Sequence, residues 1–252
     1  MGWDVTYHPI AADEVESIYF RGMKEPEHFQ ALARQFGVHE FYVEQMRLRF
    51  EEARGIDDEV PFNKGHAYYV AIISGFLRKY HYIRGGAFSF LLNDPAFAGY
   101  ISDWKTLVPS RYQHLRFDNC LTENYCAGVF ISNANLKRLR SNYASNPSVQ
   151  AALDKVFSHG RLEVFWKAVD DAIANDLCLL EASEVTEPNP LDLNKSRCRS
   201  NLFNCYPDGA LLYTEAVGQQ LAEARIKSKN NTPPAPDDPP PKKGLFARLL
   251  GK

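Results

Sequence analysis

The chain has 252 residues, of which 45% are hydrophobic and 13% aromatic, enough apolar material for one sizeable core and no composition for disorder ahead of a Pro-rich tail that is expected to be extended and mobile. Its formal net charge of -2 lacks the basic excess of a protein that lives on phosphate backbones, which argues against nucleic-acid binding. Met1 to His8 contains no basic region followed by an apolar run, and no uncharged apolar stretch reaches spanning length. The expectation is a cytoplasmic protein without leader or transmembrane segment.

Residues 3 to 8 alternate, Trp3, Val5 and Tyr7 against Asp4, Thr6 and His8, as a half-buried strand does, and Pro9 is expected to end it. Between Ala11 and Arg54 the pattern gives three helices punctuated by Pro26 and Gly37. The third carries Phe41, Tyr42, Gln45 and Leu48 on its inner face. Phe62, His66, Tyr69, Val70, Ile73, Phe76, Leu77 and Tyr80 recur at helical spacing and define the strongest helix, closed by Gly85-Gly86. A short helix at Ala87 to Leu92 and another from Pro95 to Leu107 follow, then a loop from Pro109 to Glu123.

The apolar run Tyr125 to Ile131 reads as a strand buried on both faces. Ser132 caps a helix with Leu136, Leu139 and Tyr143. Asn146-Pro147 starts a second, and Gly160 precedes a third whose apolar face is Leu162, Phe165, Trp166, Val169 and Ile173. Leu177 to Ala182 reads as another buried strand, and strand, helices, strand favours parallel pairing of the two. Residues 201 to 206 are read as one more strand, and Ala210, Tyr213, Val217 and Leu221 as the face of a last helix running to Lys227.

The fold class expected is therefore mixed α/β, predominantly helical, with helices packed around a small sheet. One domain covers 1–228, a Pro-rich linker 229–241, and a short basic amphipathic segment 242–252 that makes at most peripheral contact with a membrane or partner. Alternatively, that tail recruits the chain as a scaffold.

Chemistry is sparse in the residues themselves. The five cysteines suit reduced thiols, and the gaps Cys120/Cys126 and Cys198/Cys205 are too wide for a zinc knuckle. Phosphate-cradling glycine loops and the nucleophile elbow are absent, so neither metal nor cofactor is expected. Arg78 to Gly86 interleaves bases with aromatics, as a phosphate or base holder would, but reads more simply as a helix C-terminus. His66 reads as a hydrogen-bonded core residue. His114 and Asp118, with Cys120 or Cys126, are the material for a hydrolase-type nucleophile, base and orienter. The remaining feature is acidic: Glu163, Asp170 and Asp171 on the outer face of one helix, continued by Asp176, Glu181, Glu184 and Glu187. Charge runs are commonly solvated surface; the functional reading is a negative patch that seats a basic partner.

Tyr125 to Glu187, with Gly128-Val129-Phe130-Ile131-Ser132 before one helix and Leu179-Leu180-Glu181-Ala182-Ser183-Glu184-Val185 after another, looks like bacterial proteins encoded beside secreted toxins. With the Trp3-Asp4-Val5 opening and the basic Leu-rich tip, the chain resembles type VI secretion immunity proteins. The resemblance implies a non-enzymatic protein that neutralises a cognate toxin, such as a nuclease with a basic surface, by direct binding. Glu163, Asp170, Asp171, Glu181 and Glu184 are then the expected contact residues.

Overall fold

The structure is a computed structural model that describes residues 3–230. The Pro-rich linker from 231 onward and the basic segment at 242–252 lie outside the described residues. Two compact units divide at Ala216/Val217, ahead of the boundary expected at 228. The first is a mixed α/β domain, mostly helical, built on a four-stranded sheet.

In chain order, β1 (Asp4–Ile10) leads into a π-helical stretch (Val15–Phe20) that runs directly into α1 (Arg21–Lys24), followed by α2 (His28–Phe36) and α3 (Glu40–Arg54). Then come α4 (His66–Leu77), β2 (His81–Arg84), a 3-10 turn (Phe88–Leu91), α5 (Pro95–Ala98) and β3 (Ala127–Ile131). Three helices, α6 (Asn133–Ser145), α7 (Pro147–Val156) and α8 (Arg161–Ala174), precede β4 (Cys178–Ser183). A small hairpin of β5 (Thr186–Glu187) and β6 (Arg197–Cys198), a 3-10 turn (Leu202–Asn204) and α9 (Asp208–Asn230) complete the described chain.

The sheet order is β2-β1-β4-β3 and every pair is antiparallel. Period-two alternation sends Leu180, Ala182 and Phe130 into an apolar cluster with α4, while Leu179, Val5, Tyr7 and Ile83 join a second cluster with α8. With a helix on each face, β1 is buried along its whole length, not half-buried. Pro9 lies inside β1 instead of ending it. Because β2 stops opposite Tyr7, β1 has a neighbour on one side only at Pro9, where a missing N–H is tolerated. A bulge between Ala127 and Phe130 puts both of these residues in the α4 cluster despite their odd spacing. The Gly128 carbonyl in that bulge accepts the indole N–H of Trp104 at 3.0 Å.

Parallel pairing of β3 with β4 is not what forms. Asn133, at the start of α6, donates its side-chain amide to the carbonyls of Ala172 at 3.3 Å and Leu177 at 3.0 Å. The three-helix excursion therefore closes on itself and delivers β4 to the end of the sheet where β3 left, which forces the antiparallel sense. The stretch read as the end of the strongest helix also differs. α4 stops at Leu77, and pairing with β1 draws Tyr82 and Ile83 into the interior as β2, while Tyr80 just before it is buried and bridges to Cys205. Helical spacing beyond Pro95 is broken at Gly99, after which Ser102 bridges to Phe130. Residues 201 to 206 form the 3-10 turn and one bridge, Tyr80 to Cys205, not a strand. In α3 the inward face is Met46, Phe50 and Ala53, while Phe41 is left in solvent.

The described part of the second unit, Val217–Asn230, is the remainder of α9, on which Leu221 and Ile226 are exposed. No helix among the described residues is long and apolar enough to cross a membrane.

Candidate functional site

The acids expected to make one patch occupy two environments. On α8, Glu163 lies 3.4 Å from Lys167, Asp170 is 3.2 Å from Arg140, and Asp171 accepts from Asn175 at 2.9 Å and faces His81 at 3.4 Å. Lys137 and Asp208 extend the same face, pairing with Asp176 and Lys167 respectively. Cations thus alternate with the acids, and the local field is largely cancelled within the protein itself.

Glu181 and Glu184 are not on the surface. Glu181 points from β4 into the cluster under α8 and is fully buried. Tyr7 donates its hydroxyl at 2.9 Å, the Phe88 N–H donates at 2.6 Å, and both the hydroxyl and the N–H of Ser89 donate as well. Burial raises its pKa, and these donors oppose the rise. This buried carboxylate ties β1, β4 and the Phe88–Leu91 turn together and has no route to a partner. Glu184 follows β4 with a left-handed φ of 57°, and its Oε1 accepts from the Asp4 N–H at 3.3 Å. Asp4 in turn holds the Arg84 guanidinium and the Tyr82 hydroxyl. Burial first, then the neighbouring Asp4 charge, push the Glu184 carboxyl up from 4.5 to about 7. The sequence reading puts Glu181 inside a buried strand and Glu184 just after it, but alternation alone does not tell a polar strand residue facing core from one facing water.

The hydrolase reading needs His114, Asp118 and a thiol to meet. His114 instead lies 3.6 Å from Asp58, and Asp118 pairs with Arg116 at 3.1 Å. Cys126 is buried with its thiol on the Glu123 carbonyl, and burial pushes the Cys120 thiol up, the opposite of activation. His66 is the hydrogen-bonded core residue expected, its Nδ1 2.8 Å from the Tyr19 hydroxyl. Among the described residues no three His, Cys, Asp or Glu gather as metal ligands do.

What the structure adds is an exposed aromatic ridge. Phe41 at the start of α3 is 68% exposed and Phe203 in the 3-10 turn is 77% exposed. Tyr42 stands between them, its ring centroid 5.1 Å from Phe41 and 6.3 Å from Phe203. Phe203 is held firmly. Asn201 caps its N–H at 3.0 Å, Asn204 donates to the carbonyls of Gly75 and Phe76 at the end of α4 at 3.0 and 3.1 Å, and Lys79 donates to the Phe203 carbonyl at 2.5 Å. Two large rings are thus presented by a pinned backbone, which lowers the ordering cost of contact. Sequence missed this because Phe41 fits an apolar helical face and Phe203 fits a short strand.

No known protein family, curated protein or solved structure matches the chain.

Proposed function

We propose that the protein is a non-enzymatic binding protein, an immunity protein that neutralises a bacterial toxin by direct contact, with the Phe41–Tyr42–Phe203 ridge as its contact surface. The observation carrying the reading is the ridge itself. Aromatic anchors that a rigid backbone holds in water characterise the centres of protein interfaces, and water is their least favourable neighbour. The resemblance of residues 125–187 to toxin-associated proteins supplies the class of partner. Glu163 and Asp170 remain exposed beside their own cations, so on this reading they are rim contacts and the aromatic ridge carries the binding.

Capture of the bound toxin from the native cell, followed by its co-expression with this chain, tests the reading. Wild-type protein restores growth, and Phe41→Ser with Phe203→Ser loses both protection and binding while keeping the parent melting temperature. His114→Ala with Asp118→Ala protects fully, since no hydrolysis is involved. Full protection by the double Phe variant overturns the ridge, and loss of protection in the His114/Asp118 variant favours the hydrolase.

A further inference from the structure

A cavity of about 270 Å³ opens where α1, the end of α3, the start of α4 and the Ser110–Tyr112 turn converge. Its apolar lining is Met23, Ala53, Ile56 and the ring of Tyr112. Tyr112 is fixed there, stacked on Phe20 at 4.4 Å and edge-on to His66 at 4.9 Å. Three cations, Lys24, Arg54 and Arg111, line it against one carboxylate, Asp58, which is already turned to His114. Arg54 is anchored through Nε and Nη2 to the carbonyls of Met23 and Gly22 at 2.8 and 3.0 Å. Arg111 lies over the Tyr112 ring at 4.7 Å, and neither it nor Lys24 has a carboxylate within ion-pair distance among the described residues.

His66 supplies the directed polar group. It is 5% exposed and lines the cavity, and with Nδ1 engaged by Tyr19 Nε2 is the ring nitrogen left to meet an occupant. Desolvation and the nearby Arg111 lower its pKa, to about 4, with Asp58 opposing, so the imidazole is neutral around neutral pH. The buried Tyr19 hydroxyl donates to Nδ1 when Nε2 keeps its proton. The cavity then presents one N–H donor at its inner wall and two uncommitted cations near it, beside an apolar wall.

From this arrangement we propose that the cavity binds a small carboxylate with an apolar body, its head group on Arg111, Lys24 and His66 Nε2 and its body on Met23, Ile56 and Tyr112. Charge-assisted donors in a partly closed site favour an anion. The apolar wall of Met23, Ile56 and Tyr112 gives an all-polar anion such as phosphate nothing to bury, and a volume below the roughly 300–1,000 Å³ of drug-sized sites limits the occupant to a molecule of about benzoate's size. The site lies near the other end of α3 from Phe41. Arg54 lies thirteen steps along the helix from Phe41, about 20 Å, so the site stands independently of the toxin reading.

Titration of the full chain with sodium benzoate, followed by calorimetry and by the side-chain nitrogen resonances of His66, tests the proposal. Benzoate shifts Nε2 saturably, and inorganic phosphate and uncharged benzyl alcohol bind at least about tenfold more weakly. Arg111→Met with Lys24→Met weakens benzoate by about tenfold or more, with the His66–Tyr19 hydrogen-bond signature and melting temperature kept. Three results overturn it: no saturable shift at His66 up to the solubility of benzoate, phosphate binding as tightly as benzoate, or unchanged affinity in the double variant.

Discussion

Replacing Glu184 with Gln raises stability at alkaline pH and leaves it unchanged at acid pH. In the wild type two carboxyls share the space after β4, and the neighbouring Arg84 guanidinium pairs with Asp4, so the proton stays on Glu184 to about pH 7. The folded-state pKa is raised above the 4.5 of the free side chain. The unfolded chain therefore releases its proton first as pH rises, and stability present below about 4.5 is lost progressively through about 7. At 1.36 kcal/mol per unit, a rise of roughly 2.5 units sets a ceiling near 3.4 kcal/mol. Glu184 keeps 6% of its surface exposed, and that residual solvation reduces this to about 1–2 kcal/mol. A Gln amide keeps the acceptor for the Asp4 N–H and donates to the Asp4 carboxylate as the protonated acid does. Urea unfolding of both proteins at a series of pH values from about 4.5 to about 8.5 should give coincident midpoints at the acid end and a gap of about 1–2 kcal/mol at the other, with equal m-values. A gap independent of pH, or a variant less stable at the alkaline end, would refute the shared-proton reasoning.

His8 acts with the opposite sign. Burial and nearby His81 depress its pKa from 6.5 to about 3, so stability present above about 6.5 is lost as pH falls toward 3, by up to about 5 kcal/mol; His8→Gln should flatten that acid limb in urea titrations. Leu180→Ala, which empties a site in the α4 cluster, should cost about 2–5 kcal/mol in the same assay. Gly128→Ala has no room: an added Cβ lies 2.8 Å from Ser89 Oγ and 2.9 Å from Leu121 Cγ, and nearer still to Glu181 Oε1. Its expected cost is about 1–3 kcal/mol by thermal melting, and a melting temperature equal to wild type would show that the Glu181 network yields easily.

Local chemistry made several elements legible in the sequence. Ser132 and Asn146 cap α6 and α7 as their side chains dictate, accepting from Asn135 at 3.3 Å and from Ser148 at 3.0 Å, and Gly37 ends α2 with a φ of 63°. The apolar stripe of α8 and the two strands flanking the three-helix excursion follow from periodicity, because each buries residues spaced by its own geometry. None of these signals depends on a distant partner.

Tertiary structure alone decided the rest, since strand pairing and side-chain neighbours are non-local. His81 to Arg84 carries helix-like spacing, yet four pairs with β1 make it a strand, and Asn133 closing on Leu177 sets the direction of β4. Glu181 looked like one more acid in a run. It is Tyr7, 174 residues away in sequence, together with the turn at Phe88 and Ser89, that supplies the donors needed to bury it. The cavity beside His66 was equally invisible, because Lys24, Arg54 and Arg111 come from three separated segments whose convergence depends on how α1, α3 and the Ser110–Tyr112 turn pack around the start of α4. Sequence determines which segments must hide their apolar faces, but which polar groups are enclosed with them depends on the partner each face finds.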